Sequence, residues 1–323
     1  APQARVEKNL QKDEGKSRHD IGREALVKHV MEFAKNSENT ILSQVRRMGA
    51  SLDWSRYAYT LDEKRNKAVM TAFVRMFEGG LIYRGFRIVN WDPKGQTTIS
   101  DDEIVHEERT GKLYTFKYSK DFPISVATTR PETKVGDVAV AVHPDDARYK
   151  TFVGKEYDAV FCDVPIHIKV VADKEVDPAF GTGAVGVTPA HSLTDWEIAD
   201  RHALSHEVIV INEYAKMAVP GRLEGKKVLE AREMVVEWLK SEGLLEKEEE
   251  VVQNVATAER TGAVIEPLPK LQWFVDVDKP FPLPHSEIPG IENGSSLSLK
   301  ELMRTAVEGG GVLMPPDGFR KAY

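Results

Sequence analysis

Apolar groups recur as Ile21, Ala25, Leu26, His29, Val30 and Phe33, a spacing that places them on one side of a helix over residues 21–33. A second helix is predicted over residues 41–48, closed by Gly49, because glycine accepts the left-handed backbone of a helix end. The third carries a fuller signal. Thr60 with Glu63 forms a capping box, Val69, Phe73, Met76 and Phe77 line one face, and Gly79-Gly80 stop it. Residues 1–20, polar and of mixed charge, read as a solvated helix or loop ahead of this helical scaffold.

Beyond residue 80 the helical period gives way to alternation. Strands are predicted over residues 81–83 and 86–91, broken by the turn Asp92-Pro93-Lys94-Gly95. The charged residues 100–112 suit a connector. Short strand-like runs then follow one another at 113–118, 123–128, 138–142, 158–164 and 166–172, which predicts a compact β-barrel or sandwich. Residues 195–203 read as a helix, 208–211 as a strand, and 226–240 as a helix with Val228, Leu229, Arg232, Val235 and Leu239 along one side. Together these make an α+β insert. The charge run 246–250 reads as a solvated connector, 271–275 as a strand re-entering the first body, and the Pro- and Gly-rich residues 280–296 as an irregular loop.

A length of 323 residues exceeds the usual single domain, so two domains, or one interrupting another, are expected. A formal charge of −7 argues against a strongly basic nucleic-acid binder, although a local basic patch can still hold an RNA end. The single cysteine, Cys162, lies in an apolar run and reads as a small buried residue, which excludes disulfides and a cysteine zinc site within the chain. No signal peptide and no apolar run of bilayer length is present, so the expectation is a soluble, cytoplasmic protein with no membrane partner. The chain opens at Ala1 without Met and stops at Tyr323 without a helix-ending signal, so both ends read as cut.

Two stretches carry candidate chemistry. Thr128-Thr129-Arg130-Pro131-Glu132-Thr133 follows an apolar run, and residues 181–191 carry strand residues into a turn of small polar groups, with Asp195 beyond. Hydroxyls, a guanidinium and a carboxylate suit a small zwitterionic or ester substrate, since Arg is a fixed donor fork and Asp accepts from an ammonium. Plainer readings stand beside this one. The threonine segment can be a strand-to-turn junction, Gly181-Thr182-Gly183 a bulge, Asp195 a helix cap, His191 a structural hydrogen-bonding residue, and Asp53-Trp54-Ser55 a turn. No metal cage or nucleophile motif is visible.

In order along the whole chain, Gly49-Ala50-Ser51-Leu52-Asp53-Trp54-Ser55, the Thr128 to Thr133 segment and the stretch from Gly181 to Asp195 resemble the valyl-tRNA synthetases, in the region of their inserted editing domain. Val187-Thr188-Pro189-Ala190-His191 is nearer the valyl version than the isoleucyl or leucyl one. The resemblance implies an α/β and α+β fold: part of a split Rossmann-type catalytic domain with connector over 1–112, a β-barrel-like editing domain with helices over 113–257, and a return into the catalytic domain over 258–323. It also implies hydrolysis of threonine wrongly esterified to the 3′ end of tRNA(Val). A pocket selecting valine cannot strongly reject so close an isostere, a limit for which this family is itself the standing example.

On that resemblance Asp195 grips the substrate α-amino group, and Thr128, Thr129 and Arg130, with Thr133, position the terminal adenosine, the ester and the attacking water. Thr188 lies against the substrate side chain, and Gly186, His191 and Ser192 complete the binding set. No cofactor and no covalent intermediate is implied for this hydrolysis. The full-length enzyme would use ATP and magnesium, but the H-x-G-H and K-M-S-K-S signatures are absent, since His19-Asp20-Ile21-Gly22 and Lys216-Met217-Ala218-Val219 do not match. The chain is therefore expected to edit and not to aminoacylate, and to be monomeric.

Three departures from the pattern are legible. Gly186 stands where many relatives carry Lys, and Ser192 where they carry an acidic residue, which opens the alternative of a tRNA-binding module without editing chemistry; an inert fragment whose function needs the missing halves is the other alternative. Asp92 and Gly95, with Ala258 and Thr261, occupy positions where relatives often place two cysteine pairs, so a metal-free knuckle is expected.

Overall fold

The computed structural model describes residues 2–312; Ala1 and the closing residues 318–323, read above as cut ends, lie outside them. The backbone divides into two compact units, Ala1–Val74 and Arg75–Tyr323, and the architecture is mixed α and β.

In the first unit, α1 (Pro2–Glu14) buries Val6 and Leu10 and packs on α2 (Arg18–Arg47). Where the pattern predicts two helices, one runs through. The polar residues 35–40 continue the helix, with Lys35 Nζ paired to Glu38 at 3.3 Å and Thr40 Oγ1 donating to Asn36 O at 3.0 Å. The third helix, α3 (Glu63–Glu78), crosses the division between the units. Its first turn is held by Asp62, whose Oδ1 accepts from Arg65 N at 2.9 Å, and not by Thr60. None of its residues is buried: Val69 is 64% and Phe77 52% exposed, while Phe73 and Met76 are half-buried, so the face expected to be buried is only partly covered.

The second unit is built on sheets. Strand β1 (Ile82–Asp92) joins the two short strands expected there into one, and pairs with β2 (Thr97–Ile99) and with β10 (Glu266–Val275). Strand β3 (Ile104–Phe116) lies between β4 (Val126–Thr128) and β9 (Leu245–Ala258). A four-stranded sheet has the order β6 (Glu156–Phe161), β7 (Val164–Ala172), β5 (Ala139–Val142), β8 (Ala184–Val187). In it β5 runs parallel to β7 and antiparallel to β8.

Strand β5 explains why the sheet sits where it does. All four of its residues are buried. Val140 and Val142 face a large core with Phe116, Tyr118, Phe122 and Phe161, onto which α5 (Val228–Ser241) brings Val235 and Leu239. Ala139 and Ala141 face a smaller cluster with Val171, Val187 and Ile198, the last from α4 (Leu193–Arg201). A four-residue apolar run covered on both sides belongs at the centre of a sheet.

Three expectations are corrected here. Residues 100–112 and 246–250 are not connectors, because they fall largely in the long antiparallel pair of β3 and β9, whose register runs from Ile104 opposite Ala258 to Leu113 opposite Glu249. Residues 208–211 form no strand; only Ile211 makes an isolated bridge, to Met217. Residues 280–296 contain a ribbon of β11 (Pro280–Leu283) and β12 (Ser295–Ser298), capped by Ser298 into α6 (Leu299–Glu308).

At the knuckle, Asp92 is 2% exposed and accepts from Lys94 N and Gly95 N, both at 2.9 Å, while its other oxygen accepts from Thr261 Oγ1 at 2.8 Å. One carboxylate thus ties the two turns together by hydrogen bonds.

Candidate functional site

The short strand β4 ends at Thr128 beside β8, and Gly181, at φ +58°, sits so close to Ala127 that a Cβ on it would lie 2.6 Å from the alanine methyl. A glycine is required there, and the close approach brings the two candidate stretches together. After β4 the chain turns through a 3-10 helix, Pro131–Gly136, every residue of which is buried. It carries two charged side chains, Glu132 and Lys134, into the interior on different sides.

Glu132 is fully buried and takes both nitrogens of an Arg232 fork at 2.8 Å, with Arg130 Nε at 3.4 Å. Arg130 in turn donates from Nη2 to Glu266 Oε1 at 2.6 Å. Burial works against the charge of Arg130, but the two carboxylates outweigh it and push the guanidinium pKa up. Glu266 behaves as the complement. Burial disfavours its charge, yet Arg130 and His191 hold its pKa below the usual glutamate value. His191 is 3% exposed and its Nε2 accepts from Val210 N at 2.9 Å and Ile211 N at 3.2 Å, so Nε2 is unprotonated and Nδ1 carries the hydrogen, 3.5 Å from Glu266 Oε1. The chain of contacts runs from α5 through the turn to β10 and ends on backbone amides.

Lys134 points to the other side. Its ammonium donates to Asp137 Oδ1 at 3.0 Å, Gly186 O at 2.7 Å and Thr188 Oγ1 at 2.9 Å, which uses all three of its hydrogens. Asp137 also accepts from Thr188 Oγ1 and from the Tyr118 hydroxyl. Burial raises the Asp137 pKa against the pull of Lys134 and these hydrogen bonds, and burial together with the Asp137 charge raises that of Tyr118 well above its ordinary value. Thr188 N–H donates to Asp195 Oδ2 at 2.8 Å, and Asp195 N–H is capped by Ser192 Oγ at 3.2 Å. Asp195 Oδ1 has no hydrogen-bond partner among the described residues, while the residue as a whole is 9% exposed. A buried-edge carboxylate with one oxygen fixed and the other open is suited to an ammonium.

The expected site residues are therefore placed as follows. Thr128 Oγ1 accepts from Arg130 N at 3.1 Å, shaping the turn, and Thr129 is partly exposed with no side-chain hydrogen bond among the described residues. Thr133 is turned inward, its hydroxyl donating to Arg130 O at 3.0 Å. Thr188 is 1% exposed, Ser192 caps α4, and His191 braces residues 210–211. Gly186 lies in β8 with its Cα facing Asp137 and Tyr118, and any Cβ there would overlap Asp137 Oδ2 and the Tyr118 hydroxyl. Asp53 accepts from Ser55 N at 3.1 Å in a short turn of the first unit. Sequence reading did not single out Lys134, Asp137, Tyr118 or Glu266. Lys134 and Asp137 sit in a run of otherwise apolar and small residues, 134–142, and a charge embedded in such a run signals a paired, buried ion. Glu266 follows Val264-Ile265 and offers no such contrast.

No described helix is long and apolar enough to cross a membrane. Residues 1–294 match the family described as tRNA synthetases class I (I, L, M and V). Among curated proteins, the chain is 41% identical over 328 residues to the valine–tRNA ligase of Symbiobacterium thermophilum, 45% over 330 residues to that of Halalkalibacterium halodurans and 46% over 297 residues to that of Thermotoga maritima. These alignments cover 100%, 100% and 91% of the chain but 34%, 35% and 34% of the relatives, so the chain spans about a third of their length. With the match running through both candidate stretches, the chain belongs to the class I tRNA synthetase family of the I, L, M and V group.

Proposed function

We propose that this chain carries the proofreading site of a valine–tRNA ligase, and that the site hydrolyses threonine esterified to the 3′ end of tRNA(Val). The observation that carries the reading is Asp195: one oxygen fixed on Thr188 N–H, the other open, on the stretch that β4 and β8 bring close to the half-buried Thr128–Thr129–Arg130 corner. The open oxygen would take the substrate ammonium. Arg130, held by Glu132 and Glu266, would present its remaining edge to the terminal nucleotide. Thr128 and Thr129 hydroxyls would orient water at the ester carbonyl, so that rate comes from positioning and from polarising the carbonyl, with no covalent enzyme intermediate.

In this reading residues 113–257 are the editing domain, and 1–112 and 258–323 belong to a split Rossmann-type catalytic domain. ATP and magnesium would serve the complete ligase elsewhere. The segments of this chain at the nearest counterparts of its ATP signatures are occupied otherwise: Asp20 accepts from Ser17 N and Oγ at 2.7 Å as a helix cap, and Met217 bridges Ile211. No adenylate step is assigned to the chain, which acts as a cytoplasmic monomer on its tRNA.

The test is ester loss from threonyl-tRNA(Val) and valyl-tRNA(Val) incubated with this chain and with Asp195→Ala. Faster loss of the threonyl ester, abolished in the variant, is expected. Loss no faster than in buffer refutes the reading.

A further inference from the structure

The Lys134 network offers more than a buried ion pair. A lone buried lysine usually carries a cost that pairing only offsets, and here all three ammonium hydrogens are spent on groups around residue 188. Thr188 Oγ1 receives one of them and donates its own hydrogen to Asp137. A hydroxyl has one donor and two acceptor positions. With Lys134 on one lone pair and the hydrogen committed to Asp137, Thr188 keeps a single lone pair and no hydrogen, so it can only accept. On the same residue the backbone N–H fixes Asp195. The group that would grip a substrate ammonium and the hydroxyl beside its side chain are thus set by one residue; Asp137 holds the hydrogen of that hydroxyl, and Lys134 decides which of its lone pairs is left.

Gly186 is the other half of the arrangement. Its carbonyl takes the Lys134 ammonium at 2.7 Å, and the space a side chain would need is filled by Asp137 and Tyr118. A side chain at 186 would displace Asp137, the carboxylate that Lys134 and Thr188 share.

Resting on the editing reading above, we propose that Lys134 is a positioning residue that sets the side-chain selectivity of the site: it takes one lone pair of the Thr188 hydroxyl, whose hydrogen Asp137 holds, and so aims the remaining lone pair at a hydroxyl-bearing aminoacyl ester. Threonine donates to it. Valine offers a methyl group, leaving the lone pair unanswered.

The test compares hydrolysis of threonyl- and valyl-tRNA(Val) by the wild-type chain, Lys134→Met, Thr188→Val and the double variant, with kcat and KM for each ester. Lys134→Met is expected to lower the threonyl-to-valyl ratio of kcat/KM roughly tenfold, the scale of one hydrogen bond. Thr188→Val should do the same, and the double variant should be no worse than either single, because Lys134 acts through that hydroxyl. Removing Lys134 alone leaves a buried carboxylate, so Lys134→Met/Asp137→Asn, which keeps partners for Thr188 and Tyr118 without charge, is measured alongside and should show the same lowered ratio. A selective wild type whose ratio survives in either Lys134 variant, or effects that multiply in the double with Thr188→Val, overturns the proposal and leaves the editing reading intact. A wild type that hydrolyses neither ester overturns both.

Discussion

Glu132 should be the most damaging single charge to remove. Its carboxylate is fully buried and, among the described residues, is the sole hydrogen-bond partner of the Arg232 fork, at 2.8 Å to each oxygen, and a second partner of Arg130 at 3.4 Å. Glu132→Met keeps the volume and deletes the charge, leaving Arg232, 26% exposed, against an apolar group. Breaking a buried pair from one side costs about 3–5 kcal/mol, and the partial exposure of both guanidiniums puts the expected loss near the lower end, about 3 kcal/mol. In a unit of this size each kcal/mol moves Tm by about 2–4 °C, so the midpoint should fall by roughly 6–12 °C. Glu132→Met/Arg232→Met should recover part of that loss, because a matched apolar pair leaves no orphan charge. Thermal and urea unfolding followed by tryptophan fluorescence, which includes Trp238 packed on Phe161 at 5.0 Å, reads the unit concerned. A single variant within about 0.5 kcal/mol of wild type, or a double variant worse than the single by the full cost of a second substitution, would refute the argument that the pair is buried and coupled.

Three further outcomes are expected. Burial pushes the Cys162 thiol up to about 11, so only about a thousandth is thiolate at pH 8, and native labelling by a disulfide reagent should be at least ~100-fold slower than after unfolding. Asp92→Ala removes the acceptor of three hydrogen bonds, two from amides and one from Thr261, and should cost about 2 kcal/mol, with faster hydrogen exchange at residues 92–99 and 258–263, whereas Thr261→Val should cost about 1 kcal/mol. Glu266 has its folded pKa below the unfolded one, so its contribution is present above about pH 4.5 and is lost as pH falls through the folded value; the stability advantage of wild type over Glu266→Gln should shrink over that acid range and stay level from pH 6 to 8.

How far the sequence could be read depended on what covers each element. Strand β5 and helix α5 were legible because packing on both faces of the one and on one face of the other writes a period into the chain. The β3 and β9 pair was not, because over residues 104–113 and 249–258 it is only two strands wide and largely exposed, so neither strand alternates and both look like charged linkers. Residues 208–211 look like a strand and are not one, since the amides of Val210 and Ile211 are spent on His191 Nε2 in place of a neighbouring ladder. Pro280 and Pro282 hid a ribbon for a similar reason: they fall on alternate positions, which lets the same edge of β11 lack both N–H groups while the other edge pairs with β12.

The candidate site divides along the same line. Thr128, Arg130, Thr188 and Asp195 were found as motif residues, and the two stretches do meet. Their partners are scattered: Glu266 lies 136 positions from the Arg130 it holds, and Arg232 lies 100 from Glu132. Such separations leave no local pattern, because the ion pairs are closed by the packing of α5 and β10 on the turn and by nothing in their own neighbourhoods. Gly186 shows the converse. As a letter it reads as a departure from the resembled pattern; in the fold, the Lys134 ammonium donates to its carbonyl at 2.7 Å. A residue's absence from an expected position therefore carries functional meaning only after the space it would fill has been accounted for, and here that space holds Tyr118 and Asp137.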